Sequence, residues 1–209
     1  MIKVCVADNF PVTHFGVKSY FKDHDDISIV ANVGNLTMVR DILHTKDIDV
    51  LVIDLELEGL ASIFEVKNIL KNFPKTKIII YSGLSEQIYA PNAIKAGVSG
   101  FISKREKLET LGQAIVKVNQ GKIIINETVK KNMALIAKQS KSERLYRKLS
   151  NREVEVLRYL SGGKKNNEIS EILGLNEKTI STYKLRLLQK LNVTNLVDLV
   201  NKAKTLEIV

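Results

Sequence analysis

A small set of polar side chains stands at the ends of four short apolar runs. Asp8 and Asn9 follow one run, Asp54 closes a second, Ser82 follows a third, and Ser103 and Lys104 end a fourth. Two carboxylates, an amide, two hydroxyls and an ammonium therefore converge on one edge if those runs are neighbouring strands. Carboxylate and carbonyl oxygens suit Mg²⁺, a hard cation that keeps several waters and commonly meets phosphoryl oxygens. A Lys ammonium and a Ser hydroxyl can neutralise and hydrogen-bond those oxygens. A carboxylate such as Asp54 can act as nucleophile and form an aspartyl phosphate. One Asp or Ser after a strand is ordinarily a turn former or a helix cap. Its recurrence at corresponding ends of four strands is what singles the set out.

The elements that must position these groups are legible as β-branched runs at Ile2 to Ala7, Ile27 to Val33, Val50 to Asp54, Lys77 to Tyr81 and Gly100 to Ser103. Each is followed by apolar residues at helical spacing. Pro11 suits a first helical turn, and Asn35 precedes Leu36, Val39, Ile42 and Leu43 on one helical face. Five strands alternating with five helices predict an α/β fold, a doubly wound five-stranded parallel sheet. Strands apolar almost throughout fit a sheet covered on both faces. Ligands in such folds bind at the carboxyl ends of the strands, near the topological switch point.

The 209 residues suffice for one large domain or two small ones. Low Gly and Pro content and the absence of a persistent period exclude collagen, coiled coil and disorder. Cys5, the single cysteine, excludes an intramolecular disulfide framework and reads as a buried strand residue. No apolar run could span a bilayer and no signal peptide is recognisable, so a soluble, cytoplasmic protein without membrane association is expected. The net charge of +9 is unevenly placed: residues 1–137 carry 17 basic and 15 acidic side chains, residues 138–209 carry 15 and 8. A basic C-terminal segment on a near-neutral body points to an anionic partner. The polar stretch Lys138 to Lys148 breaks the apolar pattern, and the domain boundary is placed there.

Beyond it, Ser150 and Glu153 make a capping box ahead of Val154, Leu157 and Leu160. Gly162-Gly163 end that helix, Asn166 or Asn167 caps a short helix from Glu168 to Leu173, and Gly174 ends it. A third helix runs from Glu177 to Leu191. Two helices joined by a short glycine-containing turn form a helix-turn-helix, so the second domain is all-α. Ile180, Tyr183 or Lys184, Leu187, Leu188 and Leu191 form the inner stripe of the third helix. Thr179, Ser181, Thr182, Leu185, Arg186 and Gln189 face outward, a surface of short and basic side chains that could enter a major groove.

These segments resemble two families. Val-Cys-Val-Ala-Asp-Asn-Phe-Pro, Asp-Val-Leu-Val-Ile-Asp54, Ile-Ile-Ile-Tyr-Ser82-Gly and Ala96-Gly-Val-Ser-Gly-Phe101-Ile-Ser-Lys104 resemble the receiver domain, a flavodoxin-like fold, of bacterial two-component response regulators. Asn151-Arg-Glu-Val-Glu-Val-Leu, Asn167-Glu-Ile and Glu177-Lys-Thr-Ile-Ser-Thr-Tyr, with Lys190-Leu-Asn-Val, resemble the LuxR-type helix-turn-helix. Together they look like the NarL/FixJ class. The resemblance implies a receiver over 1–124, a partly helical linker over 125–148 and a DNA-binding domain over 149–209. It implies Asp54 as phosphoacceptor and Asp8, Asn9, Asp54 and the Glu56 backbone carbonyl around Mg²⁺. Ser82 and Phe101 are implied as switch residues and Lys104 as the partner of the phosphoryl oxygens. The change is expected to reach a surface near the fourth helix, fifth strand and fifth helix. Lys178, Thr179, Ser181, Thr182, Lys184, Leu185, Arg186 and Lys190 are implied as DNA-binding residues, and Val197, Val200 and Leu206 of the final helix as dimer contacts. The implied function is a transcription regulator rather than an enzyme, with a sensor histidine kinase and double-stranded DNA as partners and a homodimer on the DNA.

Two departures qualify the resemblance. Receivers usually carry two acids where this chain has Asp8 and Asn9, and Glu58 stands where Pro is common after the phosphoacceptor. The alternative they raise is a receiver that regulates transcription without phosphorylation. Two other classes compete with the main reading. A phosphohydrolase would need a general acid or base beyond the scattered His14, His24 and His44. An interaction adaptor would use its basic segment without binding DNA.

Overall fold

The structure, a computed structural model, describes residues 1–127, 129–131 and 149–205. The expected alternation forms in order: β1 (Ile2–Ala7), α1 (Pro11–Tyr20), β2 (Ile27–Val33), α2 (Leu36–Thr45), β3 (Val50–Ile53), α3 (Ile63–Asn72), β4 (Lys77–Ser82), α4 (Glu86–Lys95), β5 (Gly100–Ser103) and α5 (Leu108–Asn119). All pairings are parallel and the sheet order is β2-β1-β3-β4-β5. From β1 the chain passes first to one side and then, with β3, to the other. The switch point therefore lies between the carboxyl ends of β1 and β3, where Asp8 and Asp54 stand.

Residues of opposite parity along each strand serve two cores. Leu51 and Ile53 join Cys5, Ala7, Ile78, Ile80 and Phe101 under α2, α3 and α4. Val50 and Val52 join Val4, Val6, Ile79 and Ile102 under α1 and α5. Burial of both faces accounts for strands that are apolar without alternation. The predicted limits shift at two places that matter. Asp54 lies just beyond β3, because its N–H still donates to the Ala7 carbonyl (2.9 Å) while its carbonyl accepts from Leu57 (3.3 Å) and the chain turns. Ser82 is instead the last residue of β4, paired with Ser103. The turn continues to Gly59, whose φ of +81° favours glycine and where a Cβ would crowd the Leu36 Cβ at 3.2 Å.

The C-terminal residues form α6 (Asn151–Ser161), α7 (Asn166–Leu173), α8 (Glu177–Leu191) and α9 (Leu196–Thr205). The capping box forms as expected: Glu153 N–H donates to Ser150 Oγ (3.3 Å) and Ser150 N–H to Glu153 Oε2 (2.7 Å). The next helix starts earlier than expected, at Asn166. Glu168 reaches back to accept from the Lys165 N–H at 2.7 Å, so an acid inside the first turn, rather than Asn166 or Asn167, supplies the cap. Leu157, Ile169, Ile180, Leu187 and Leu199 are buried in a core of their own, with Tyr183 and Leu188 half-buried against it. Most of the linker expected over 125–148 lies outside the described residues, as does Leu206. No helix among the described residues is long and apolar enough to cross a membrane.

Candidate functional site

The predicted polar set assembles at the switch point. Asp8 and Asp54 are each 1% exposed. Asp54 Oδ1 accepts from Ser82 Oγ at 2.7 Å and from the Glu56 N–H at 3.2 Å. Its Oδ2 accepts from the Lys104 ammonium, which also meets Asp8 Oδ2 at 2.6 Å. Asp8 Oδ1 accepts from the Phe10 N–H at 2.8 Å, and the Lys104 ammonium lies 5.6 Å from the centre of the Phe10 ring. Burial alone would favour neutral Lys104, yet its hydrogen bonds to Asp54 and Asp8 prevail and raise its pKa. Two buried carboxylates and one ammonium leave a net charge of −1, suited to a second cation or a group that carries one. Ser103, grouped with Lys104 in the sequence, instead accepts from the Arg105 N–H at 3.2 Å.

The donor set fits Mg²⁺ in kind. Each carboxylate sends one oxygen to a single point, now met by the Lys104 ammonium, and both are hard ligands. Asn9 and the Glu56 carbonyl lie beside them, with Asn9 Nδ2–H donating to that carbonyl at 2.6 Å and Asn9 Oδ1 accepting from the Glu58 N–H at 2.7 Å. Among the described residues no group of three His, Cys, Asp or Glu side chains is placed to hold a metal ion, since the third side chain here is an amide. Phe101 is wholly buried in the core under α4. His24 accepts from the Asp26 N–H and His44 packs edge-on against Phe73, so both have structural partners.

On α8, Lys178, Thr182, Leu185 and Arg186 are exposed, Leu185 by 61%. Arg186 lies over the Tyr183 ring at 5.9 Å, and Thr182 Oγ1 donates to the Lys178 carbonyl. Thr179 and Lys184 are half-buried at the edge of this face. Ser181 and Lys190 have inward partners. Ser181 Oγ accepts from Asn166 Nδ2 at 3.1 Å, tying α7 to α8, and Lys190 bonds Glu153, itself 2% exposed, at 2.7 Å. On α9, Leu199 and Ala203 enter the core, leaving Val197 70% exposed and Val200 half-buried.

Residues 4–116 match the family model described as "Response regulator receiver domain", and residues 147–203 match "Bacterial regulatory proteins, luxR family". The chain is a two-component response regulator. Its two parts, in this order, place it in the NarL/FixJ class. The regulator is 32% identical to the Fimbriae Z protein of Salmonella typhimurium over 98% of this chain and 97% of that one. It is 30% identical to BvgA of Bordetella pertussis, described as a "virulence factors putative positive transcription regulator", over 97% and 96%. Among solved structures, RcsB of Salmonella enterica serovar Typhimurium, "bound to promoter rprA in the presence of phosphomimetic BeF3-", superposes with a TM-score of 0.80 at 25% identity, covering 97% and 98%.

The two parts of the regulator meet through residues the sequence did not single out. Glu155 of α6 is 7% exposed and its Oε1 accepts from the Ile63 N–H (2.9 Å), supplementing from the other domain the Ser62 cap of α3, whose Oγ accepts from the Phe64 N–H at 3.1 Å. Arg158 donates to the Leu55 carbonyl at 3.1 Å, one residue beyond Asp54, and Tyr159 to the Ala61 carbonyl at 3.3 Å. Ile88 and Tyr89 of α4 pack against the C-terminal core, and burial pushes the Tyr89 hydroxyl up to about 12. The cavity left among Leu55, Tyr89, Val154 and Glu155 is about 30 Å³, room for about one water. The contact between the two parts thus runs chiefly through the loop after β3, the start of α3 and α4. The polar stripe Arg152, Glu155, Tyr159, at i+3 and i+4 spacing, was the available signal; without a partner surface it reads as solvated.

Burial raises the Glu155 pKa above the usual glutamate value, against the opposing Ile63 N–H, Arg152 and Arg158. An acid with a raised folded pKa adds stability fully below its unfolded value, and that contribution is lost as pH rises through the folded one. Glu155→Gln keeps an acceptor for Ile63 and cannot ionise. Its thermal stability relative to wild type should therefore climb as pH rises from the ordinary glutamate value, about 4.3, through the raised folded one and then level off. Unfolding curves of both proteins across that range test it, and a gap independent of pH would refute it.

Proposed function

We propose that the regulator is switched by phosphorylation of Asp54 from a sensor histidine kinase and then binds promoter DNA in the cytoplasm as a homodimer. The observation that carries this reading is the buried Asp54 carboxylate held by Ser82, Lys104 and the Glu56 N–H at the switch point, in one chain with the exposed basic face of α8.

Asp8, Asp54, the Glu56 carbonyl and the Asn9 amide oxygen would hold Mg²⁺, which neutralises charge on phosphoryl oxygens. A carboxylate oxygen of Asp54 forms the bond to phosphorus as the bond to the donor nitrogen breaks. Lys104, already aimed at this carboxylate, pairs with a phosphoryl oxygen, and Ser82 Oγ hydrogen-bonds another. Moving Ser82 makes room for Phe101 to repack in the core. The loop from Leu55 to Ala61 carries the change to α6 through Arg158, Glu155 and Tyr159, biasing a two-state arrangement of the domains.

On DNA, Lys178, Lys184 and Arg186 face phosphates or base edges, while Thr179, Thr182 and Leu185 offer short contacts in the groove. Ser181 and Lys190 serve by bracing α8 against α7 and α6. Val197, with Val200 beside it, offers an apolar dimer contact on α9. RcsB has been solved as "two RcsB dimers bound to two parallel DNAs". A pair of α8 helices would address half-sites one or more helical turns apart. A mobility shift on DNA upstream of the protein's own gene, with and without beryllofluoride and Mg²⁺, tests the reading. Binding should strengthen with the mimic, and equal binding in both conditions would refute the switch.

A further inference from the structure

Asn9 makes a pair of hydrogen bonds that an acid at its position could not. Its Nδ2–H donates to the Glu56 carbonyl at 2.6 Å while its Oδ1 accepts from the Glu58 N–H at 2.7 Å. The orientation of the amide is forced, since a carbonyl must meet an N–H and an N–H must meet an oxygen. One planar group thus joins the end of β1 to the loop that leaves Asp54. That loop is held elsewhere too. Glu56 N–H returns to Asp54 Oδ1, and Leu36 N–H donates to the Glu58 carbonyl at 2.8 Å.

A carboxylate at position 9 has no hydrogen to give. It could accept from Glu58 but would set a charged oxygen against the Glu56 carbonyl, a contact that needs a cation between the two. It would also bring the local charge of Asp8, Asp54 and Lys104 from −1 to −2 beside two buried acids. Glycine at 59 and the buried Leu57 fix the far side of the loop, so the near side depends on whatever stands at position 9.

We propose that Asn9 is a positioning residue that holds the loop after Asp54 by hydrogen bonds in the absence of a divalent cation, and that lowers the affinity of the site for Mg²⁺ by engaging the Glu56 carbonyl. The inference rests on the reading of Asp54 as phosphoacceptor. It makes the phosphoacceptor loop preformed, with metal affinity set low by one amide. Where an acid would make loop geometry depend on the cation, this chain separates the two.

The test uses the full-length protein with Asn9→Asp and Asn9→Ala, both at a solvent-exposed position. Calorimetric titration with MgCl₂ should show Asn9→Asp binding about tenfold tighter than wild type, since ligand charge sets affinity at such oxygen sites. Added Mg²⁺ should also raise the melting temperature of Asn9→Asp more than that of wild type. In cation-free buffer the Glu58 amide should exchange with solvent about five- to tenfold faster in Asn9→Ala, the effect of one hydrogen bond. Equal Mg²⁺ affinity in wild type and Asn9→Asp, or an unchanged Glu58 amide in Asn9→Ala, would overturn the proposal. Neither readout involves phosphoryl transfer. A wild-type protein that takes no label from acetyl phosphate while both effects appear would overturn the reading of Asp54 and leave the role of Asn9 standing.

Discussion

Asp54→Asn removes all Mg²⁺-dependent incorporation of label from acetyl phosphate while the protein stays folded. The two halves of this expectation have separate physical grounds. Chemically, an amide oxygen is a poor nucleophile toward phosphorus, and no neighbour can replace it. Asp8, the other buried acid, accepts from the Phe10 N–H and Lys104 and lies on a different strand end. Structurally, Asn retains an oxygen to accept from Ser82 and from the Glu56 N–H. The buried triad moves from a net charge of −1 to neutral, which ends the repulsion between Asp8 and Asp54. The melting temperature should therefore not fall. Lys104→Met tests the same balance from the other side. It leaves two buried carboxylates facing one another, and loss of a buried partner costs about 3–5 kcal/mol. A labelled Asp54→Asn protein would locate the phosphoacceptor elsewhere, and a Lys104→Met variant as stable as wild type would show that the triad contributes little.

Charge reversal on α8 should have a comparable effect on the other function. Lys184→Glu combined with Arg186→Glu removes two cations from the face that carries Lys178, Thr182 and Leu185. Each phosphate contact contributes about 0.9 to the slope of log K against log salt on duplex DNA. The double variant should therefore lose about 1.8 in slope as well as affinity on random duplex, read by mobility shifts over a salt series. Fold is not at stake, because neither side chain lies in the core. Arg186 gives up its position over Tyr183, worth about 0.5–1 kcal/mol at an exposed site. Unaltered slope and affinity would remove α8 from the interface, whereas no binding of the wild type to duplex even at low salt would favour a basic segment that binds no DNA. Arg186→Ala alone separates two roles. A guanine-reading Arg would relax sequence preference, costing about 1–3 kcal/mol at one base pair, whereas a phosphate contact would weaken all sequences alike.

Much of this is legible in the sequence because the pattern is local. Period-free apolar runs such as Ile78-Ile79-Ile80 announce strands covered on both faces, and the alternation with helices then dictates parallel pairing. Capping depends on residues three apart, so Ser150 with Glu153 could be read directly, and they form as read. The start of α7 differs from the expected Glu168 for the same kind of reason in reverse. Asn166 and Asn167 are good caps by type, but Glu168 took the role through the Lys165 N–H.

Partner choice was not legible, because several partners were chemically acceptable. Lys190 has the charge to meet phosphate but bonds Glu153, across 37 residues. Ser181 has the size to meet a base edge but accepts from Asn166. The polar stripe of α6 has the composition of a solvated face. Only the approach of the N-terminal domain turns Glu155 into the acceptor for the Ile63 N–H at the start of α3 and Arg158 into a donor to the Leu55 carbonyl.

By itself the sequence determined the strand and helix order, the carboxyl-end location of Asp8, Asp54, Ser82 and Lys104, and the concentration of positive charge in the last third. Those follow from side-chain type and spacing, which act over one or two turns of chain. The tertiary structure alone decided that Lys104 bridges both acids, that the Asn9 amide clasps the loop after Asp54, and that α6 docks on that loop. Each depends on groups distant in sequence meeting at hydrogen-bond range in a buried place, where an unpaired polar group costs far more than in water.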